Sequence, residues 1–295
     1  MFNGLLAQIE SGSQKALARC ISLIENEAAG YEEFLQQLPP SSTPIIGITG
    51  PPGAGKSTLA DALITLLVGQ GKKIGVLCVD PSSPFNLGAL LGDRIRMSEW
   101  YNHPNVFIRS LASRGSLGGL HPKIIEISDV MKVAPFDYVI IETVGVGQSE
   151  IEIAGLADCT VVVVVPESGD EIQTMKAGLM EIADVFVVNK ADRPGADMFV
   201  KNLRLMLAPA FNKTIHEVAI VKTIASQKNG IDVLVEKIQI HLNHLTNNDK
   251  KYWLLAEKAY QLIQAKKMKG VTKKQLKEEI ENAQDFNLYS FVHHK

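Results

Sequence analysis

With 295 residues, 46 % of them hydrophobic, the chain can hold one large α/β domain with appendages or two small domains. A formal charge of −2 offers no bulk electrostatic case for nucleic acid or for an anionic membrane surface. The three cysteines, Cys20, Cys78 and Cys159, are odd in number and none pairs at metal-site spacing, which fits a reducing compartment.

In chain order, the opening run Met1-Phe-Asn-Gly-Leu-Leu-Ala is interrupted by Glu10, Ser11 and Gly12, a poor signal peptide. The longest apolar run, Thr160 to Val165 with its neighbours, is too short to span a bilayer. A cytoplasmic protein is expected, or one of the mitochondrial matrix if a presequence has been removed. Residues 2–38 read as helical, with Leu5, Ile9, Leu17, Cys20, Ile21 and Ile24 mostly at three- and four-residue steps. Pro39 to Pro44 is a linker, so 1–43 forms a helical preface whose simplest role is packing on the main domain.

From Pro44 to residue 247 the pattern alternates. Strands are expected at Pro44–Thr49, Lys73–Val79, Asn105–Arg109, Tyr138–Ile141, Thr160–Val165, Val185–Val188 and Val218–Val221. Helices are expected at Thr58–Leu67, His121–Val133, Asp170–Glu181, Met198–Leu207 and Ile231–Leu242. Alternation of this kind predicts an α/β fold with a doubly wound, mainly parallel sheet, whose strands end on one rim. Residues 248–295 read as two helices broken near Gly270. Trp253, Leu254, Leu255, Ala259, Leu262 and Ile263 lie at helical spacing beside a lysine-rich part. That stretch is either a solvated face or a docking surface for a second subunit.

The chemistry centres on Gly50, Pro51, Pro52, Gly53, Ala54, Gly55, Lys56 and Ser57, which spell Gly-x4-Gly-Lys-Ser between an apolar strand and a helix. In that context glycines turn backbone N–H groups around a phosphate, and the helix dipole points at the same place. Lys56 can reach the β- and γ-phosphates, the Ser57 hydroxyl can ligate Mg²⁺, and Thr58 completes the loop's nucleotide-contacting candidates. A glycine-rich turn that binds nothing is the bland alternative, and the flanking strand and helix argue against it. Asn189-Lys-Ala-Asp192 follows a later strand directly. Asp192 can accept from guanine N1–H and the 2-amino group, donors that adenine lacks there. Asn189 can tie its loop to the phosphate loop, the Lys190 stem can lie along the base, and the Ala225 amide can face O6. Glu142 ends an apolar strand as an acidic metal-holding residue does, and Gly145 could offer an N–H to the γ-phosphate. Asp80 and Asp93 are further acidic candidates for the same rim. Arg94, Arg96, Arg109 and Arg114 are cationic candidates for γ-phosphate or partner contacts.

Several ordered motifs then resemble one family. Asp80-Pro-Ser-Ser-Pro84, Gly92-Asp-Arg-Ile-Arg-Met97, Ser113-Arg-Gly-Ser-Leu-Gly-Gly119, Glu142-Thr-Val-Gly-Val-Gly-Gln-Ser149 and Asn189-Lys-Ala-Asp192 are similar to the MeaB/ArgK-type P-loop GTPases. That family chaperones adenosylcobalamin-dependent methylmalonyl-CoA mutase, and an older name for it is lysine/arginine/ornithine transport kinase or ATPase. The resemblance implies GTP/GDP and Mg²⁺ as cofactors, and catalytic roles for Lys56, Asp80, Glu142 and Gln148. It implies a metal set of Ser57, Asp93 and Glu142, and a partner-signalling switch with Gln173 and Lys176. It also implies an adenosylcobalamin-dependent acyl-CoA mutase as partner and a homodimer built by the C-terminal extension; no nucleic acid and no membrane span are expected from the charge and the short apolar runs. The family usually has small residues where Glu167 stands, and the extension here looks rather short. Three other functions compete: an ATP-dependent kinase serving basic amino-acid transport, a nickel-type metallochaperone GTPase, and a low-turnover nucleotide-dependent scaffold. Asp192 argues against the first. Scattered histidines such as His103, His121 and His216 argue against the second.

Overall fold

A computed structural model describes residues 1–80, 97–113, 120–143, 152–168, 177–207, 218–245, 250–283 and 286–293. The chain divides into two compact units, Met1–Lys251 and Tyr252–Lys295. In the first unit the strands are β1 (Ile45–Thr49), β2 (Ile74–Asp80), β3 (Val106–Ala112), β4 (Tyr138–Glu142), β5 (Cys159–Val164), β6 (Val185–Val188) and β7 (Ala219–Lys222). They form one sheet in the order β3-β2-β4-β1-β5-β6-β7. Every pairing is parallel. Strands β2 and β3 lie on one side of β1 and β5 to β7 on the other. The order therefore reverses near β1, where a ligand crevice opens beyond the strands' C-terminal ends.

Residue alternation explains why this sheet is buried on both faces. Ile46 and Ile48 of β1, Val76 and Cys78 of β2, and Val161 and Val163 of β5 face one way. They pack with Leu59, Leu63 and Leu67 of α4 (Lys56–Gly69) and Leu234 and Ile238 of α8 (Ile231–Leu245). Ile45, Leu77, Val79, Val139 and Ile141 face the other way. There they meet α1 (Leu5–Glu10), α2 (Gln14–Glu25) and α5 (Ile124–Val133) through Ile9, Leu17, Ile21, Ile127 and Val130. A third cluster joins Val162, Val164, Phe186 and Val188 to Leu179 of α6 (Ala177–Ile182) and Phe199 and Leu203 of α7 (Ala196–Leu207). Burying each such aliphatic side chain contributes about 1.5–3 kcal/mol before entropy is counted.

The N-terminal segment is three helices, α1, α2 and α3 (Tyr31–Leu35), rather than continuous helix. Gly12 and Gly30 take positive φ at the breaks, and the Ser13 hydroxyl accepts from Ala16 N to cap α2. Boundaries elsewhere move by a few residues. β3 runs on to Ala112 because Leu111 and Ala112 pair with Val79 and Asp80. Helix α5 begins at Ile124 rather than His121, whose ring Nδ1 accepts from Lys123 N at 3.0 Å. Of the helix expected over Asp170–Glu181, only the part from Ala177 lies among the described residues.

The second unit contains three helices among its described residues, one more than expected: α9 (Lys250–Lys267, which starts in the first unit), α10 (Lys273–Glu281) and α11 (Leu288–His293). Gly270, with φ 91, lies in the break between α9 and α10, and a Thr272/Gln275 capping box starts α10. No helix among the described residues is long and apolar enough to cross a membrane.

Candidate nucleotide site

The phosphate loop leaves β1 at Thr49 with a backbone that side chains would obstruct. Gly50 has φ 137, and a Cβ there would lie 2.1 Å from the Val163 carbonyl oxygen of the neighbouring strand. Gly55, at φ 90, is the N-cap of α4 and has no side chain to satisfy the helix's first amides. Those N–H groups and the positive end of the dipole open onto the loop, the arrangement that suits an anion. Lys56 is the first residue of α4 and is 7 % exposed. Its Nζ donates to the carbonyls of Gly50 (2.9 Å) and Pro51 (3.1 Å), so the ammonium is held over the loop.

One residue on, the Ser57 hydroxyl donates to Glu142 Oε1 at 2.6 Å, with both side chains buried. The pairing of β1 with β4 makes this contact: Ile48 stands opposite Glu142, which brings the end of β4 beside the start of α4. A hydroxyl and a carboxylate are hard oxygen donors, the set that Mg²⁺ takes. Beneath them the hydroxyls of Thr49 and Thr143 share a hydrogen bond of 2.9 Å, fully buried. That pair escaped the sequence reading. Its only signal is a threonine at the polar end of each of two apolar runs.

The base loop is pinned to the phosphate loop by one side chain. Asn189 is 2 % exposed; its Nδ2 donates to Ala54 O at 2.9 Å, and its Oδ1 accepts from Thr223 Oγ1 and from Ala225 N, each at 3.1 Å. The Ala225 N–H, expected to face O6 of a base, is here turned onto Asn189. The buried amide oxygen needs donors and takes this one. Lys190 sits at φ 55 and its Nζ reaches Gly53 O at 2.8 Å. Arg193 N closes a turn on Lys190 O at 3.0 Å, which leaves Asp192 exposed at its tip. Arg193 also pairs with Glu167, and that contact holds the Glu167 carboxyl below the usual carboxylate range. This bridge between the loop after β5 and the base loop was not anticipated.

Other expected site residues fall elsewhere. Asp93, Gly145, Gln148, Gln173, Lys176, Arg94, Arg96, Arg114 and His216 lie outside the described residues. Asp80 ends β2, and pairing of Cys78 with Glu142 sets β2 directly beside β4; its side chain lies outside the described set. Arg109, considered for the γ-phosphate, instead pairs with Glu25 and donates to Ser22 Oγ at 3.0 Å, both on α2. Its place in the middle of β3 aims it at the N-terminal helices, away from the rim.

Residues 17–284 match the family described as Methylmalonyl Co-A mutase-associated GTPase MeaB. The chain belongs to this family of P-loop GTPases. The Pyrococcus horikoshii protein PH0274, named for a GTPase, is 45 % identical over 259 residues, 86 % of this chain and 80 % of its own. A Geobacillus kaustophilus protein named Fused isobutyryl-CoA mutase is 37 % identical over 239 residues, 76 % of this chain and 22 % of its own. A solved structure described as an LAO/AO transport system kinase superposes with TM-score 0.67 at 29 % identity, covering 94 % of this chain and 84 % of that one. As a MeaB-family member the chain binds guanine nucleotide and hydrolyses GTP.

Proposed function

We propose that this GTPase works with Mg²⁺ at the β1–α4 loop and that its nucleotide state gates loading or protection of adenosylcobalamin on an acyl-CoA mutase. The observation that carries the site assignment is the convergence of Lys56, the Ser57–Glu142 pair and the Asn189 pin on one rim. In this reading Lys56 leaves its carbonyls for the β- and γ-phosphates. Ser57 and Glu142 hold the metal, directly or through water, and Asp192 reads the guanine edge. Bound Mg²⁺ would neutralise charge on the transferring phosphate oxygens. Asp93 is assigned to the metal shell, Asp80 to ordering the metal or the attacking water, the Gly145 N–H to the γ-phosphate and Gln148 to a catalytic switch after β4, with Gln173 and Lys176 in the partner switch. Among the described residues no side chain at the rim is an evident strong base for water. We therefore take intrinsic turnover to be slow and to rise when a partner orders the switches.

The mutase partnership is supported by the family description and by the Geobacillus kaustophilus protein, in which a segment similar to this chain belongs to a fused mutase. Fusion holds two domains at high effective concentration, as selection for their contact would. Methylmalonyl-CoA mutase is the first partner to test, and homodimerisation is assigned to the second unit. The decisive experiment is capture of a purified adenosylcobalamin-dependent mutase by the chain locked with a non-hydrolysable GTP analogue or with GDP. Capture in one nucleotide state is expected; equal capture, or none, rules the gate out. A Lys56→Ala chain should release phosphate from GTP about a hundredfold more slowly, the scale of losing one charge-stabilising donor.

A further inference from the structure

The sheet's other edge, where the parallel strands begin, gathers three ligand types that are far apart in sequence. Cys159 opens β5, and Asp184 immediately precedes β6, the next strand in the sheet. Helix α8 lies across the same face of the sheet. Its buried residues Ile231, Leu234, Val235 and Ile238 recur at helical steps, and His241 continues that stripe by three residues. The fold therefore brings one thiol, one carboxylate and one imidazole together, with a ligand atom of each within 4.8 Å of the others.

The details favour an ion over a casual cluster. Asp184 Oδ2 is fixed by the Thr160 amide at 2.8 Å, and Oδ1 stands 3.5 Å from His241 Nε2. Two ligand atoms each bound at about 2.0–2.1 Å to a tetrahedral ion lie about 3.3 Å apart, so this pair needs little movement. The Asp158 carbonyl oxygen is 3.2 Å from the same Nε2 and accepts its proton when the ring is the Nε2–H tautomer, so an ion must displace that hydrogen bond and leave the proton on Nδ1. Cys159 is fully buried, whereas the His241 and Asp184 side chains are 23 % and 12 % exposed, so an ion would enter from their side. A nucleophilic role for Cys159 needs substrate access that this burial denies. Thiolate with imidazole selects a soft or borderline ion, not Mg²⁺. We propose that Cys159, Asp184 and His241 bind one divalent transition-metal ion of the zinc class, bolting α8 to the β5–β6 edge. The five steps along β5 from Cys159 to Val164 separate this place from the nucleotide rim by about 16 Å at roughly 3.3 Å per residue. On binding, the thiol gives its proton to solvent, and the imidazole ligates through Nε2 with its proton on Nδ1.

The test titrates the nucleotide-free full-length chain with Co²⁺ alone, then with Zn²⁺ in competition. One equivalent is expected to give tetrahedral ligand-field bands and a thiolate-to-cobalt charge-transfer band, both erased by Zn²⁺. Oxygen-only binding at the phosphate loop, or binding by His293 and His294 near the end of the sequence, gives no thiolate band. Cys159→Ala should remove that band. His241→Gln and Asp184→Asn, on the accessible side, should each weaken binding more than about a hundredfold, beyond the roughly 10–100-fold that losing a residue merely supporting a ligand costs. Zn²⁺ should also raise the melting temperature of the parent chain and leave that of His241→Gln unchanged. If Cys159→Ala does not fold, His241→Gln decides alone. A folded parent chain with no thiolate band at saturating Co²⁺, or a band that survives His241→Gln undiminished, overturns the proposal.

Discussion

A methyl group added at Gly53 or at Gly55 separates backbone strain from loop pinning. Both glycines have positive φ, so either alanine costs about 1–2 kcal/mol in a left-handed conformation. A Cβ at Gly53 meets nothing within 4 Å, whereas one at Gly55 falls 2.5 Å from Asn189 Nδ2. Gly55→Ala should therefore weaken GDP binding at least about tenfold more than Gly53→Ala and lose about 1–3 kcal/mol more stability, because only it dislodges the buried Asn189 pin. Calorimetric titration of both variants checks this; equal affinities would mean that the pin is idle. Asp192→Asn should narrow the preference for GTP over ATP by about a hundredfold or more, since an amide offers guanine one acceptor and one misplaced donor. Competition binding reads this directly. Burial pushes the Cys20 thiol up to about 12. At pH 8 its thiolate fraction is then roughly one part in ten thousand. Iodoacetamide should leave the Cys20 peptide unmodified in the folded chain and label it in denaturant, as mass spectrometry would show.

At the scale of elements, the Arg109–Glu25 pair fastens α2 to β3. Its side chains are 30 % and 12 % exposed, and the His121 ring lies 3.9 Å from the same carboxylate. Glu25→Ala strands a half-buried guanidinium. It should cost about 1–3 kcal/mol in urea unfolding, less than a fully buried pair because solvent reaches Arg109. This tie also marks what the sequence could and could not convey. The strands were legible because each is an apolar run, and the phosphate loop because glycines, Lys56 and Ser57 sit at fixed spacing in one stretch. Asn189 was legible for the same reason. Partners such as Thr143 for Thr49, Glu25 for Arg109, and His241 for Cys159 and Asp184 were not. Each is set by strand order and helix packing across many residues, and nothing local encodes which distant side chain arrives. The helix break at Gly12 was missed because the apolar spacing continues across it, although Ser13 is a cap by type.

The whole molecule should come apart in a defined way. Its three hydrophobic clusters draw only on the first unit, the last of their residues being Leu242. The second unit exposes large side chains instead, among them Tyr252, Trp253, Tyr260 and Ile263. The two tryptophans divide between the units: Trp100 is 9 % exposed and donates to Asp61 Oδ1 at 2.7 Å, while Trp253 is 75 % exposed. A chain ending at Lys251 therefore carries one tryptophan, on the short 3-10 turn Ser98–Trp100 that is hydrogen-bonded to α4 through Asp61. That truncated chain is expected to unfold in urea as a single transition reported by Trp100, and to bind GDP within about twofold of the full chain. If the second unit carries homodimerisation, sedimentation of the truncated chain should give a monomer where the full chain gives a dimer. Loss of the cooperative Trp100 transition on truncation would show that the first unit needs the second for its fold. A dimer that survives truncation would move the self-association surface onto the sheet-bearing unit. A different partner would then be sought for Tyr252, Trp253, Tyr260 and Ile263, since a contiguous exposed apolar patch, unlike scattered exposed side chains, marks an interaction site.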